Sequence, residues 1–167
     1  MSDTVLGVGN PDRGDDAVGL VVTGLLHDKV SAKVRIAEHH GEATGLLAAL
    51  QGAECAWVID AAHSGAAPGT IHRIDCAADA VMPCGPVSSH GFGVAEAIEL
   101  ARALGTLPLH CIVYAIEAAQ FTPGAALSPA VASAAYEVAA RILAELATPP
   151  PPSSHCRRHP APAPDRR

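Results

Sequence analysis

Apolar residues recur along this chain in two rhythms: short continuous runs, as in strands buried on both faces, and spacings of three and four, as along one side of a helix. Residues 4–9 form the first run, rich in β-branched side chains and closed by glycine, and within 15–26 Val18, Val21, Val22, Leu25 and Leu26 fall at helical spacing. Residues 34–39 predict a second strand and 43–51 a second helix with Leu46, Leu47 and Leu50 on one side. Residues 55–62 predict a third strand, apolar until it meets Asp60 near its carboxyl end. The turn-forming stretch 64–69 predicts that 70–74 returns as an edge strand running against the third. A long loop over 76–92 leads to a helix marked by Val94, Ala97, Ile98, Ala101 and Leu104 and ended at Gly105, and 109–116 reads as the last strand. Ser128 and Pro129 offer an N-cap followed by proline at the first helical position, and an Ala-rich helix runs from there to residue 147, with Val131, Val138, Ile142 and Leu146 as its buried stripe.

This alternation predicts an α/β fold, a three-layer α/β/α arrangement around a mostly parallel, five-stranded twisted sheet with one antiparallel edge strand. Residues 1–147 are expected to form one domain. Residues 148–167 hold seven of the 14 prolines and little that is apolar beyond alanine, so they are expected to form a disordered tail, its His155, Cys156 and His159 a chance cluster.

Composition narrows the function classes. The chain has 167 residues, enough for one substantial core, and its 3% aromatic content argues against a stacking platform for single-stranded nucleic acid. The net charge of −6 hides an asymmetry, because the basic residues of the tail offset part of a more acidic body that would repel phosphate backbones. Nucleic acid is therefore not an expected partner. The five cysteines Cys55, Cys76, Cys84, Cys111 and Cys156 show no Cys-x-x-Cys spacing and follow no signal-peptide pattern. Together with the absence of a membrane-length apolar run, they point to a soluble protein of the reducing cytoplasm.

The chemistry concentrates where strands end. Asp15 and Asp16 stand side by side just beyond the first strand, an arrangement that repels itself unless a cation or a network of donors compensates it. Asp15 reads as a helix N-cap or support, whereas Asp16, one residue further in, is harder to explain as a cap. Asp60 closes the third strand, and His90, in Ser88-Ser89-His90-Gly91, lies in the long loop before a helix. In a parallel α/β sheet the loops at the carboxyl ends of strands form the site, so these residues could converge as a mixed oxygen and nitrogen ligand set for zinc or nickel. Other readings fit less well. Gly7-x-Gly9-x-x-Asp12 places a carboxylate where a dinucleotide fingerprint needs its third glycine, and neither Ser64, Ser88, Ser89 nor Cys84 stands in a recognisable nucleophile setting.

The motif Gly7-Val8-Gly9-Asn10 with Gly14-Asp15-Asp16-Ala17-Val18-Gly19 resembles the N-terminal signature of the nickel–iron hydrogenase maturation endopeptidases. Val58-Ile59-Asp60-Ala61, Pro68-Gly69-Thr70, Ser89-His90-Gly91, Ile116-Glu117 and Leu127-Ser128-Pro129 continue the resemblance in order over residues 4–145. It implies that Asp16, Asp60 and His90 are the catalytic and metal-contacting groups, with Asp16 one methylene shorter than the glutamate the family can also carry there. It implies cleavage of a C-terminal extension from a hydrogenase large-subunit precursor, with nickel carried by that precursor, no tightly bound organic cofactor, and action as a monomer. A non-cleaving nickel-site assembly factor and an ordinary zinc-dependent peptidase remain the alternatives.

Overall fold

The computed structural model describes residues 2–77 and 93–148. His90, Cys84, Ser88, Ser89 and most of the expected 76–92 loop lie outside the described residues, as does the tail beyond Thr148 with His155, Cys156 and His159. Five strands, β1 (Ser2–Val8), β2 (Val34–His39), β3 (Ala53–Ala62), β4 (Ile71–Asp75) and β5 (His110–Glu117), form one sheet in the order β2-β1-β3-β5-β4. All neighbours run parallel except β4, which pairs antiparallel with β5. The edge strand expected over 70–74 is thus antiparallel as read, but β5 lies between it and the third strand. The chain leaves β4 for a helix on one face and re-enters the sheet between β3 and β4, a crossover that local turn chemistry does not encode.

Two helical layers cover the sheet. On one face α1 (Val18–Leu26) and α4 (Pro129–Ala147) pack Val18, Val22, Leu26, Val131, Val138 and Ile142 against Val5, Trp57, Ile59, Tyr114 and Ile116. On the other, α2 (Ala43–Leu50) and α3 (Gly93–Ala103) set Leu46, Leu50, Val94 and Ile98 against Leu6, Val8, Ala56, Val58 and Val113. Odd and even positions of β3 therefore feed different cores, which is why its sequence is apolar without alternation. Leu104, expected on the buried stripe of α3, is 59% exposed, since the helix ends one residue earlier and the chain turns away. Among the described residues no helix is long and apolar enough to cross a membrane.

The strand order reverses at β1. From β1 the chain moves outward to β2 and then back across to β3, so the loops leaving the carboxyl ends of β1 and β3 diverge and leave a crevice there. Helix α1 lies unusually close to the strands beneath this point. A Cβ on Gly19 would stand 2.4 Å from Val8 O and 2.5 Å from Ile59 O, so only glycine allows the helix start to rest on two strand backbones.

Candidate active site

Four carboxylates, Asp15, Asp16, Asp60 and Glu117, are the only buried charged residues among those described, and none is more than 2% exposed. All four gather at the carboxyl edge of the sheet. Burying a carboxylate is costly unless donors or cations meet it, so the partners of each tell what it does.

Asp15 and Asp16 lie in a 3-10 turn (Gly14–Ala17) that leads into α1. Neither the turn nor α1 has a side-chain cap, so the N-cap reading of Asp15 does not hold. Its carboxylate reaches instead to the far end of the chain. Oδ2 accepts from Ala119 N at 2.8 Å, Gln120 N at 3.1 Å and Ser128 Oγ at 2.9 Å, and Oδ1 accepts from Ser128 N at 2.6 Å. The Asp15 amide donates to Gln120 O at 3.1 Å. Ser128 does precede α4, with Pro129 opening the helix, but its hydroxyl serves Asp15 rather than capping the helix. The support reading of Asp15 is therefore the one the geometry bears, and its partners are 104 to 113 residues away in sequence.

Asp16 is aimed differently. Its Oδ2 accepts from Asn10 N at 3.2 Å, in the loop after β1, where Gly9 N also donates to His39 O at 3.0 Å. A Cβ on Gly9 would stand 1.9 Å from Asp16 O, so glycine at that position lets the strand end and the acidic turn meet. Asp60 lies on β3, where the pairing of Gly7 with Ile59 sets it level with the end of β1, and its Oδ1 accepts from Ala61 N at 2.8 Å. The 3-10 turn packs against β3, so Asp16 and Asp60 emerge from neighbouring strand ends at the crevice. His90, the third residue expected with them, lies outside the described residues. Gly93, the first described residue after it, sits against Gly41 beyond β2, where an added Cβ would stand 1.9 Å from Gly41 O. Among the described residues no three His, Cys, Asp or Glu side chains form a group able to hold a metal ion.

Glu117 was legible only as part of a motif, yet it ends the apolar run of β5 much as Asp60, near the end of β3, interrupts the run of that strand. It is 1% exposed. Oε1 accepts from Ser64 N at 2.6 Å and Gly65 N at 3.0 Å, and Oε2 accepts from Ser64 Oγ at 2.9 Å. His72 Nε2 lies 3.4 Å from Oε2, an ion pair when the imidazole is protonated, though without hydrogen-bond geometry. Burial pushes the Glu117 carboxyl up, but the Ser64 amide and hydroxyl, then the Gly65 amide and His72, outweigh it and hold the group below the usual carboxylate range. The hydroxyl of Ser64 is thus spent on a carboxylate rather than activated, in line with its dismissal as a nucleophile.

The arrangement offers two buried carboxylates at a crevice and two more that shape the surrounding loops, a chemistry suited to positioning water and a cation-bearing substrate. The family model described as hydrogenase maturation protease matches residues 27–145. No curated protein matches the chain. A solved hydrogenase maturating endopeptidase, HybD from E. coli, is 25% identical and superposes with a TM-score of 0.76 over 88% of this chain and 93% of its own. The hydrogenase maturation protease HybD from Thermococcus kodakarensis is 23% identical, with a TM-score of 0.69 over 88% of this chain and 99% of that one. A hydrogenase 2 maturation peptidase from a Thaumarchaeota archaeon, 22% identical, gives 0.64 over 87% and 98%. These last two likenesses speak for the fold.

Proposed function

The chain belongs to the hydrogenase maturation protease family, and from that premise we propose that it is the endopeptidase that removes the C-terminal extension of a nickel–iron hydrogenase large-subunit precursor once nickel has been inserted. The observation that carries this reading is the pair of buried carboxylates, Asp16 and Asp60, at neighbouring strand ends where the strand order reverses. Nickel enters as part of the substrate. Asp16, Asp60 and His90 contact it, so a loaded precursor is bound in a way that an empty one is not, and cleavage becomes a checkpoint on assembly.

In the bond-breaking step a water oxygen adds to the carbonyl carbon near the nickel and the C–N bond then breaks. The proton lost by the water ends on the leaving amine, with Asp16 or Asp60 positioning the water and carrying that proton. The enzyme acts as a monomer in the cytoplasm, where the buried thiols of Cys55, Cys76 and Cys111 stay reduced.

The test mixes the protein with nickel-loaded and nickel-free precursor and follows the mass of the large subunit. The extension is expected to be lost only with nickel, and Asp16→Ala, Asp60→Ala and His90→Ala each to slow processing by about a hundredfold or more. Normal processing by all three variants would remove the site assignment, and equal cleavage of nickel-free precursor would remove the checkpoint.

A further inference from the structure

One residue closes the whole connection between β3 and β4. The side chain of Glu117 takes the start of that loop, through the Ser64 amide and hydroxyl and the Gly65 amide. Its backbone takes the end, for Gly69 N donates to Glu117 O at 2.8 Å and Glu117 N donates to Thr70 O at 2.9 Å. One step on, Ala118 N donates to Ala62 O at 2.9 Å, extending the β3–β5 pairing past the last strand residue. The loop held in this way leaves β3 immediately after Asp60, Ala61 and Ala62.

Alternation along the strands puts Glu117 on the same sheet face as Asp60. Ala56 and Val58 of β3 and Cys111 and Val113 of β5 face α2 and α3, so Asp60 and Glu117 follow on that side. The register sets Asp60 opposite Ala115, and Ala115 opposite His72 of β4, so a small side chain separates the Asp60 row from the imidazole that flanks Glu117. The first residue of the loop meets its neighbour, with the His63 ring edge-on to Phe121 at 5.8 Å between centroids. Phe121 belongs to the loop that Asp15 clamps. Two carboxylates therefore cross-wire three carboxyl-edge loops: Asp15 from β1 to the loop after β5, and Glu117 from β5 to the loop after β3.

We propose that Glu117 is a positioning residue for precursor cleavage, acting through the Ser64–Gly65 turn to fix the chain that follows Asp60 and hence the seat of the scissile peptide. The inference rests on the reading of Asp60 as a site residue. A carboxylate held by three donors from one turn defines that turn's course far more tightly than solvent would. A displacement of about 1 Å near reacting groups can cost a hundredfold in rate.

The test measures kcat and KM for nickel-loaded precursor in Glu117→Ala, Glu117→Gln and Ser64→Ala, with Asp60→Ala as reference. Glu117→Ala is expected to lower kcat by roughly tenfold to a hundredfold with KM little changed. Glu117→Gln should recover most of it, because an amide oxygen still accepts from the Ser64 and Gly65 amides. Ser64→Ala should lower kcat less, and nothing further in the Glu117→Ala background. If Glu117→Ala does not fold, Glu117→Gln and Ser64→Ala decide alone, and a wild-type kcat in Ser64→Ala overturns the proposal. So does a folded Glu117→Ala with wild-type kcat, or a Glu117→Gln variant as slow as the alanine. Should Asp60→Ala process normally, the underlying site reading fails instead.

Discussion

Glu117 at the carboxyl edge and Glu145 near the end of α4 are both pushed up by burial and both end below the usual carboxylate range, but the donors that bring them down differ in kind. Glu145 is met by side chains from three strands: Arg73 Nε at 2.9 Å and Tyr114 OH at 2.6 Å on Oε1, and Trp57 Nε1 at 2.7 Å on Oε2. Glu117, like Asp15, is met mainly by the amides and the serine hydroxyl of a loop. Side-chain donors tie the helix layer to the sheet and leave the course of the backbone alone. Amide donors do the reverse, dictating where a loop runs. Glu145 should therefore govern how long the fold persists, and Asp15 and Glu117 how well the catalytic edge is built.

The largest effect that could break this contrast is expected at Asp15. Asp15→Ala removes four hydrogen bonds to a buried carboxylate, from the amides of Ala119, Gln120 and Ser128 and the Ser128 hydroxyl, so stability should fall by more than about 3 kcal/mol, since a hydrogen bond to a charged group contributes roughly 1.5–3 kcal/mol. Precursor processing should fall as well, even where urea titration shows the variant folded. A variant as stable and as active as the parent would show that the clamp is decorative.

Glu145→Ala comes next. It strands the Trp57 indole N–H and the Tyr114 hydroxyl of two side chains no more than 1% exposed, at a cost of about 2–3 kcal/mol. In a chain of this size that lowers Tm by roughly 5–10 °C. The kcat of the folded enzyme at 25 °C should stay at the parent value, and a fall in kcat with Tm unmoved would erase the distinction between the two regions.

The smallest effect is confined to the pH extremes. Burial, then the hydrogen bond to Glu145, pushes the Tyr114 hydroxyl up from 10.0 to about 12. Its contribution to stability is complete below pH 10, where the phenol is neutral in both states, and is lost as pH rises toward 12, because the unfolded chain ionises first. At the acid end the depressed Glu145 contributes above the ordinary carboxylate value of 4.5, and that share is lost as pH falls through the folded value. Tyr114→Phe should flatten the alkaline limb of a Tm-versus-pH curve and also make the acid limb shallower, because the lost hydroxyl is one of the donors that hold Glu145 down. An unchanged alkaline limb would place that titration elsewhere.

Strand and helix positions were legible because each buried face imposes its own period: β2 occupies the predicted residues, and β1, β3 and β5 differ from prediction by one or two residues at their ends. The insertion of β5 between β3 and β4 was not legible, since a crossover is decided by how helices pack rather than by the turn that starts it. Asp16 and Asp60 stood out as acids at strand ends. The role of Asp15 did not, because every acceptor bond it makes spans more than a hundred residues and leaves no local trace. Glu117 carried a usable signal, the same apolar run closed by an acid that marked Asp60, but the strand was read as stopping at Ile116.

The central place of β3 has a consequence for how the molecule wears out. Its residues 56–59 are paired with β1 on one side and 55–62 with β5 on the other, so the ladder beneath Asp60 is shielded from fraying at either edge of the sheet. Amides in such a strand exchange with solvent only through the rarest, most global openings. The enzyme therefore has no cheap intermediate in which the body survives while this carboxylate is lost. Heat or denaturant should take Asp60 and the scaffold together, so an ageing population holds intact molecules and unfolded ones, with few between.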